Sequence, residues 1–229
     1  MLRRLTDIER RLRARYDVAP VDEATWARAR IYNTWFDHAI LRGLWTNEAE
    51  IAPGVFRSNH PTKARLMALK ARGVVSVLSL RGNSVSAHNE TERLWCEEIG
   101  LRLHRVSMKD NRAPRAETIA HLLATFREIE RPFVMHCKAG ADRAGLASAV
   151  YLMAIGGVPL AQARGMLSWR FWHLRRSRAG VLDAFLDAYE ADGAEAAMPF
   201  ETWVATRYDR DAVNRVAGVT RGKRPRPEG

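Results

Sequence analysis

Val134-Met135-His136-Cys137-Lys138-Ala139-Gly140-Ala141-Asp142-Arg143-Ala144-Gly145 is the stretch that decides how this chain is read. Apolar residues lead into it and small residues at helical spacing lead out, so the predicted order is strand, tight loop, helix. In that order the backbone N–H groups of the loop converge on one point, and the helix start adds positive dipole. A cysteine at the base of such a cradle, here Cys137, is expected to be held as a thiolate, a strong nucleophile. Arg143 closes the Cys-x5-Arg spacing with a planar fork that can grip two phosphate oxygens at once.

Working outward, strands and helices alternate from about residue 51. Strands are expected at 55–57, 74–80, 101–106 and 133–136. Helices are expected at 62–72, 90–99, 116–130, 144–155, 159–168, 180–191 and 199–207. This alternation argues an α/β fold with a mainly parallel central sheet flanked by helices. The Cys-x5-Arg loop then sits between a strand and a helix, at the strand's C-terminal end, where such sheets bind ligands. Residues 1–50 are expected to be a helical extension packed on the core, 51–208 the main domain, and 209–229 a basic, disordered tail, clearest in the Pro/Gly-rich run Arg221–Gly229.

The chain has 229 residues, 47% of them hydrophobic, enough for a substantial core. Cys96 and Cys137 provide no disulfide framework. No apolar run is long enough to span a membrane, and the N-terminus lacks the apolar stretch of a secretory signal, so the expected location is the cytoplasm. Net charge is +11, written in arginine far more than lysine. That balance suits polyanionic partners, and a coding bias towards arginine explains it equally well. Residues 1–15 read as an amphipathic basic helix, either packed on its own domain or resting on an anionic membrane. Ser168–Arg176 interleaves aromatics with arginines, as a core segment with solvated charges or as a rim gripping an anionic substrate; nucleic acid is not the expected partner.

The signature His136-Cys137-x5-Arg143 resembles that of the cysteine-dependent protein tyrosine and dual-specificity phosphatases. A second resemblance lies in Gly54-Val55-Phe56-Arg57-Ser58-Asn59-His60-Pro61 followed by Gly73–Gly82, which look like the opening of the atypical plant, fungal and bacterial branch. Together they cover about residues 54–190. The resemblance implies a phosphatase that hydrolyses phosphate monoesters through a phosphocysteine on Cys137, without a cofactor or metal. The N–H groups of Lys138, Ala139, Gly140, Ala141 and Asp142, with Arg143, would hold the phosphoryl oxygens. His136 would orient the loop. Asp110 would be the general acid, with Asp142 as the alternative or as an orienter of Arg143. Arg57 and Arg81 would border the phosphate pocket, and Lys138 would meet extra phosphates of an inositol phosphate or lipid head group.

One departure stands out. The family usually has Ser or Thr after the signature Arg, where the hydroxyl helps the sulfur leave; this chain has Ala144. Slow hydrolysis of the phosphoenzyme is therefore expected, and a phosphate-binding pseudophosphatase is the alternative. Sulfur transfer on a rhodanese-like loop is a third reading, opposed by the Arg that ends the loop. Cys96 is expected to be an inert helix residue, with a reversible Cys96–Cys137 disulfide as the other reading.

Overall fold

The computed structural model describes residue 11 and residues 15–32, 45–194 and 197–219. The basic helix expected over 1–15 falls outside the described residues apart from 11 and 15, and so does the tail at 221–229.

Five short strands form one sheet: β1 (Ala49–Ala52), β2 (Val55–Ser58), β3 (Ser76–Ser79), β4 (Arg102–Arg105) and β5 (Phe133–His136). The order across the sheet is β1-β2-β5-β3-β4. All neighbours run parallel except β1, which folds back antiparallel on β2. The signature strand β5 is therefore central, with Ser58 and Ser79 level with His136 on either side. All four residues of β2, β3 and β5 are buried, as expected of parallel strands covered on both faces.

Successive strand residues point to opposite faces, and the two cores follow that rule. Phe56, Val77 and Val134 face one side. There α2 (Lys63–Ala71) and α3 (Ala87–Ile99) cover them with Leu66, Leu69 and Cys96. Val55, Leu78, Phe133 and Met135 face the larger side. That side is covered by α4 (Ala116–Glu128), α5 (Asp142–Ala154), α7 (Val181–Tyr189), α8 (Phe200–Thr206) and α9 (Arg210–Val216). Phe126, Phe133 and Tyr151 meet there with centroids 5.1–6.3 Å apart. Each such aromatic pair adds about 0.5–1.5 kcal/mol beyond the area it buries. Two further α-helices among the described residues are α1 (Glu23–Ile31), opened by an Asp22–Thr25 capping box, and the single turn α6 (Leu160–Ala163). Among the described residues, no helix is long and apolar enough to cross a membrane.

Two boundaries differ from the sequence reading. The sheet begins at Ala49, inside the expected extension, because Pro53-Gly54 turns an extra strand onto β2. The tail expected from 209 begins with helix α9 instead. Asp209 accepts hydrogen bonds from the backbone N–H groups of Asp211 and Ala212, and Val213 and Asn214 are buried against the core. Charge at the chain's end masked a short helix whose apolar face holds only a few residues.

Candidate active site

The loop after β5 is pinned from behind. His60 N–H donates to Lys138 O (3.2 Å). Asn47 Nδ2 donates to Ala139 O (2.9 Å), and Arg57 Nη2 donates to Gly140 O (2.5 Å) and Ala141 O (3.3 Å). In a trans peptide each C=O points opposite to the following N–H. Four carbonyls turned back onto the scaffold therefore turn the N–H groups of Ala139, Gly140, Ala141 and Asp142 the other way, into one concavity. The N-terminus of α5 opens at the same place, adding the positive end of a helix dipole. Gly140 makes this possible. Its φ is +72°, and a Cβ there would lie 2.6 Å from the backbone N of Asn59. The glycine is needed for contact with β2, not for clearance above the loop.

Cys137, at the start of the loop, is 2% exposed. Arg143, the first helical turn's cation, keeps its Nε buried without a hydrogen-bond partner. Its Nη2 lies 3.8 Å from Asp110 Oδ2, and the Asp110 side chain is about half exposed. The structure thus places Asp110 beside Arg143, at the helical end of the loop that follows Cys137.

Asp142 is placed differently. His173 Nδ1 lies 2.7 Å from its carboxylate, and His173 Nε2 lies 2.7 Å from Asp183. Burial of His173 works against its charge, but the two carboxylates outweigh it and raise its pKa to about 9. It is therefore an imidazolium at neutral pH, donating to both partners. An Asp held this way anchors the start of α5.

His136 is fully buried, with Nδ1 3.4 Å from the carbonyl of Cys137. Its Nε2 lies 2.6 Å from Glu92 Oε1, in a contact too bent to count as a regular hydrogen bond. Burial alone would push the Glu92 carboxyl up; His136 and Arg81 outweigh it and hold the group below its usual range. His60, Glu92 and His136 each offer a ligand atom within 4.8 Å of the others, an arrangement that could hold a metal ion. Arg81, with Nη1 3.3 Å from His60 Nδ1, already supplies a cation beside them.

Of the two arginines expected at the pocket border, Arg57 lies under the loop instead. Arg57 has no exposed surface; beyond the loop carbonyls it donates to Met166 O (2.7 Å) and stacks 3.7 Å over the Phe171 ring. Burial lowers its pKa to about 10, leaving it charged. Arg81 turns towards His60 and Glu92. The segment Ser168–Arg176 divides. Phe171 and His173 are buried, whereas Trp169 and Trp172 are 72% and 54% exposed, with Trp172 stacked on Trp45 at 5.0 Å. Cys96 and Cys137 lie in separate cores on opposite faces of the sheet, which disfavours a bond between them. Burial and Glu92 raise the pKa of Cys96 to about 12, as suits an inert thiol.

Sequence reasoning missed Asn47, Glu92, His173 and Asp183. His60 lay in a quoted motif without a role. None of these has a local signal, because each reaches the site through the fold.

Residues 52–157 match the family model described as Tc-R-P, polymorphic toxin system, DSP-PTPase phosphatase. That part of the chain is a dual-specificity-type cysteine phosphatase domain. Among solved structures, the chain resembles TpbA of P. aeruginosa at 24% identity and a TM-score of 0.52, over 67% of this chain and 91% of that one. It also resembles the core catalytic domain of the PP-IP phosphatase SIW14 of S. cerevisiae, solved with citrate, at 17% identity and a TM-score of 0.50. That match covers 75% of this chain and 91% of SIW14's. A search of curated proteins returned no match.

Proposed function

We propose that the chain hydrolyses phosphate monoesters through a phosphocysteine on Cys137. The sulfur attacks phosphorus in line, forming the S–P bond while the P–O bond to the leaving group breaks. Asp110 donates its proton to the leaving oxygen. Water then attacks phosphorus, passes a proton to Asp110 and releases phosphate and thiolate. Arg143 and the amides of 138–143 hold the equatorial oxygens through both steps.

The observation that carries this reading is the tie-back of the loop carbonyls, which leaves the amides and the unpartnered Arg143 Nε to serve an oxyanion. Asp110 is preferred over Asp142 as the acid because it stands beside Arg143 in an exposed loop while Asp142 is bound to His173. A thiolate enzyme of this kind works in a reducing compartment, so the cytoplasm is its proposed location. The proposed substrates are phosphoproteins, inositol phosphates or phospholipid head groups. A TpbA variant was solved in complex with pTyr, and SIW14 is a PP-IP phosphatase.

Turnover of p-nitrophenyl phosphate tests the reading. Cys137→Ser should lower it by at least about a thousandfold, vanadate should block it, and a chelator should leave it unchanged. Equal turnover by Cys137→Ser, or activity that requires an added metal ion, would sink it.

One observation favours a second reading, phosphate capture with little turnover. Ala144 is fully buried, and the nearest helical hydroxyl, Ser148 Oγ, donates to Ala144 O at 2.7 Å. A rapid-quench experiment with substrate in excess separates the two: a phosphoenzyme that forms once with no further release of phosphate supports capture, and a burst followed by continued release supports the enzyme.

A further inference from the structure

We propose that the cavity behind the Asp110 loop is a second anion site, which holds another phosphoryl group of a small, multiply phosphorylated substrate. The proposal rests on the phosphatase reading for the word substrate, but the pocket stands on its own geometry. A cavity of about 360 Å³ is lined by Lys109, Arg112, Arg115 and Arg210, with the hydroxyl residues Ser107 and Thr118 on its wall. No carboxylate lines it, and none of the four cations has an ion-pair partner among the described residues. Four like charges around one hollow repel each other, and an anion inside relieves that repulsion. Asp209, Asp211 and Glu117 line a separate depression, which Arg115 and Arg210 also border.

The hollow is firmly built. Tyr208 donates its hydroxyl to Pro114 O (2.7 Å), and Ala113 N–H donates to Asn214 Oδ1 (2.9 Å). Arg210 Nε donates to Ala113 O (2.8 Å). Helix α9 is thereby clamped onto the segment that follows Asp110. An aromatic cluster of Phe185, Trp203 and Tyr208, with centroids 4.9–5.5 Å apart, seats the approach to that helix. Arg210 thus reaches the pocket from outside the matched family segment, which ends at 157.

The position ties the pocket to the chemistry. Lys109 and Arg112 line it, and Asp110 between them faces Arg143 at 3.8 Å. One short loop therefore forms a wall of both sites. The volume suits a small molecule, so the occupant proposed is a polyol or sugar carrying several phosphates, with one phosphoryl on Cys137 and another in the hollow.

Calorimetry of full-length Cys137→Ser with inositol hexakisphosphate and, separately, inorganic phosphate tests this. Adding Arg115→Gln and Arg210→Gln should weaken hexakisphosphate binding by about tenfold or more, since two charge-assisted contacts are lost, and leave phosphate binding unchanged. In the active enzyme the same pair should raise KM for inositol polyphosphates and leave p-nitrophenyl phosphate turnover within about twofold of normal. Unchanged hexakisphosphate binding overturns the pocket. Failure of the wild type to hydrolyse p-nitrophenyl phosphate overturns the enzyme reading instead, and the calorimetry still reads the pocket. Arg115→Gln alone guards against misfolding, because the Arg115 side chain caps no helix end; normal melting with weakened binding supports the site.

Discussion

The two sides of the Cys137 loop are built on opposite plans. Behind it, Asn47, Arg57 and the His60 amide saturate the carbonyls, and His173 holds Asp142. In front, Arg143 Nε has no partner, and Asp110 stands half exposed at 3.8 Å from the guanidinium. The rear spends bonds on rigidity so that the front can keep donors free, which is the preorganisation an oxyanion site needs. Variants in front should therefore change chemistry without changing stability, and variants behind should change both.

Arg143→Ala gives the largest expected effect. It should lower kcat/KM for p-nitrophenyl phosphate by about a thousandfold or more while Tm stays within a degree or two. A Tm loss as deep as that of a rear variant would erase the contrast. Asp110→Asn should lower kcat by about 10²–10⁴-fold for poor leaving groups and far less for p-nitrophenolate, which leaves without a proton. Equal losses for both substrates would return the acid role to another group.

This contrast also explains what the sequence disclosed. Cys137 and Arg143 were legible because strand, loop and helix are contiguous, and a local pattern carries a local cradle. The parallel sheet was legible from β-branched runs such as Val74–Leu80, although only Ser76–Ser79 pair as a strand. The rear of the loop was not legible, because Asn47 and His173 lie 92 and 31 residues from their partners there. Arg57 shows the cost of reading side chains without burial. An arginine in a strand next to the signature looked like a rim residue, yet the pleat sends it under the loop. β1 escaped notice because Ala49–Ala52 has neither alternation nor β-branched density.

Ala144→Ser sharpens the front of the site. A hydroxyl there should speed phosphoenzyme hydrolysis by about 10²–10³-fold, the value of one donor to a developing charge, and shrink the burst in rapid-quench measurements. An unchanged burst would show that sulfur departure does not limit turnover. Behind the loop, Arg57→Met should leave the Gly140, Ala141 and Met166 carbonyls short of a donor. The cost is about 3 kcal/mol, or roughly 6–12 °C in Tm, with activity falling alongside. Lost activity with an unchanged Tm would place Arg57 at the substrate after all.

His173→Gln is the subtlest probe, because its effect depends on pH. In the folded protein His173 titrates near 9, above the 6.5 of the unfolded chain. Its bonds to Asp142 and Asp183 therefore stabilise the fold fully below about pH 6.5 and progressively less as pH rises through about 9. The Tm difference between wild type and His173→Gln should be widest near pH 6 and should narrow towards pH 10. At its widest it should reflect about 2 kcal/mol, as expected for charge-assisted bonds. Because Asp142 directly precedes Arg143, wild-type kcat should decline over the same alkaline interval while the variant, already slackened, shows no such decline. A Tm gap that ignores pH would mean that His173 is neutral in the fold, and that the start of α5 is held by packing instead of by charge.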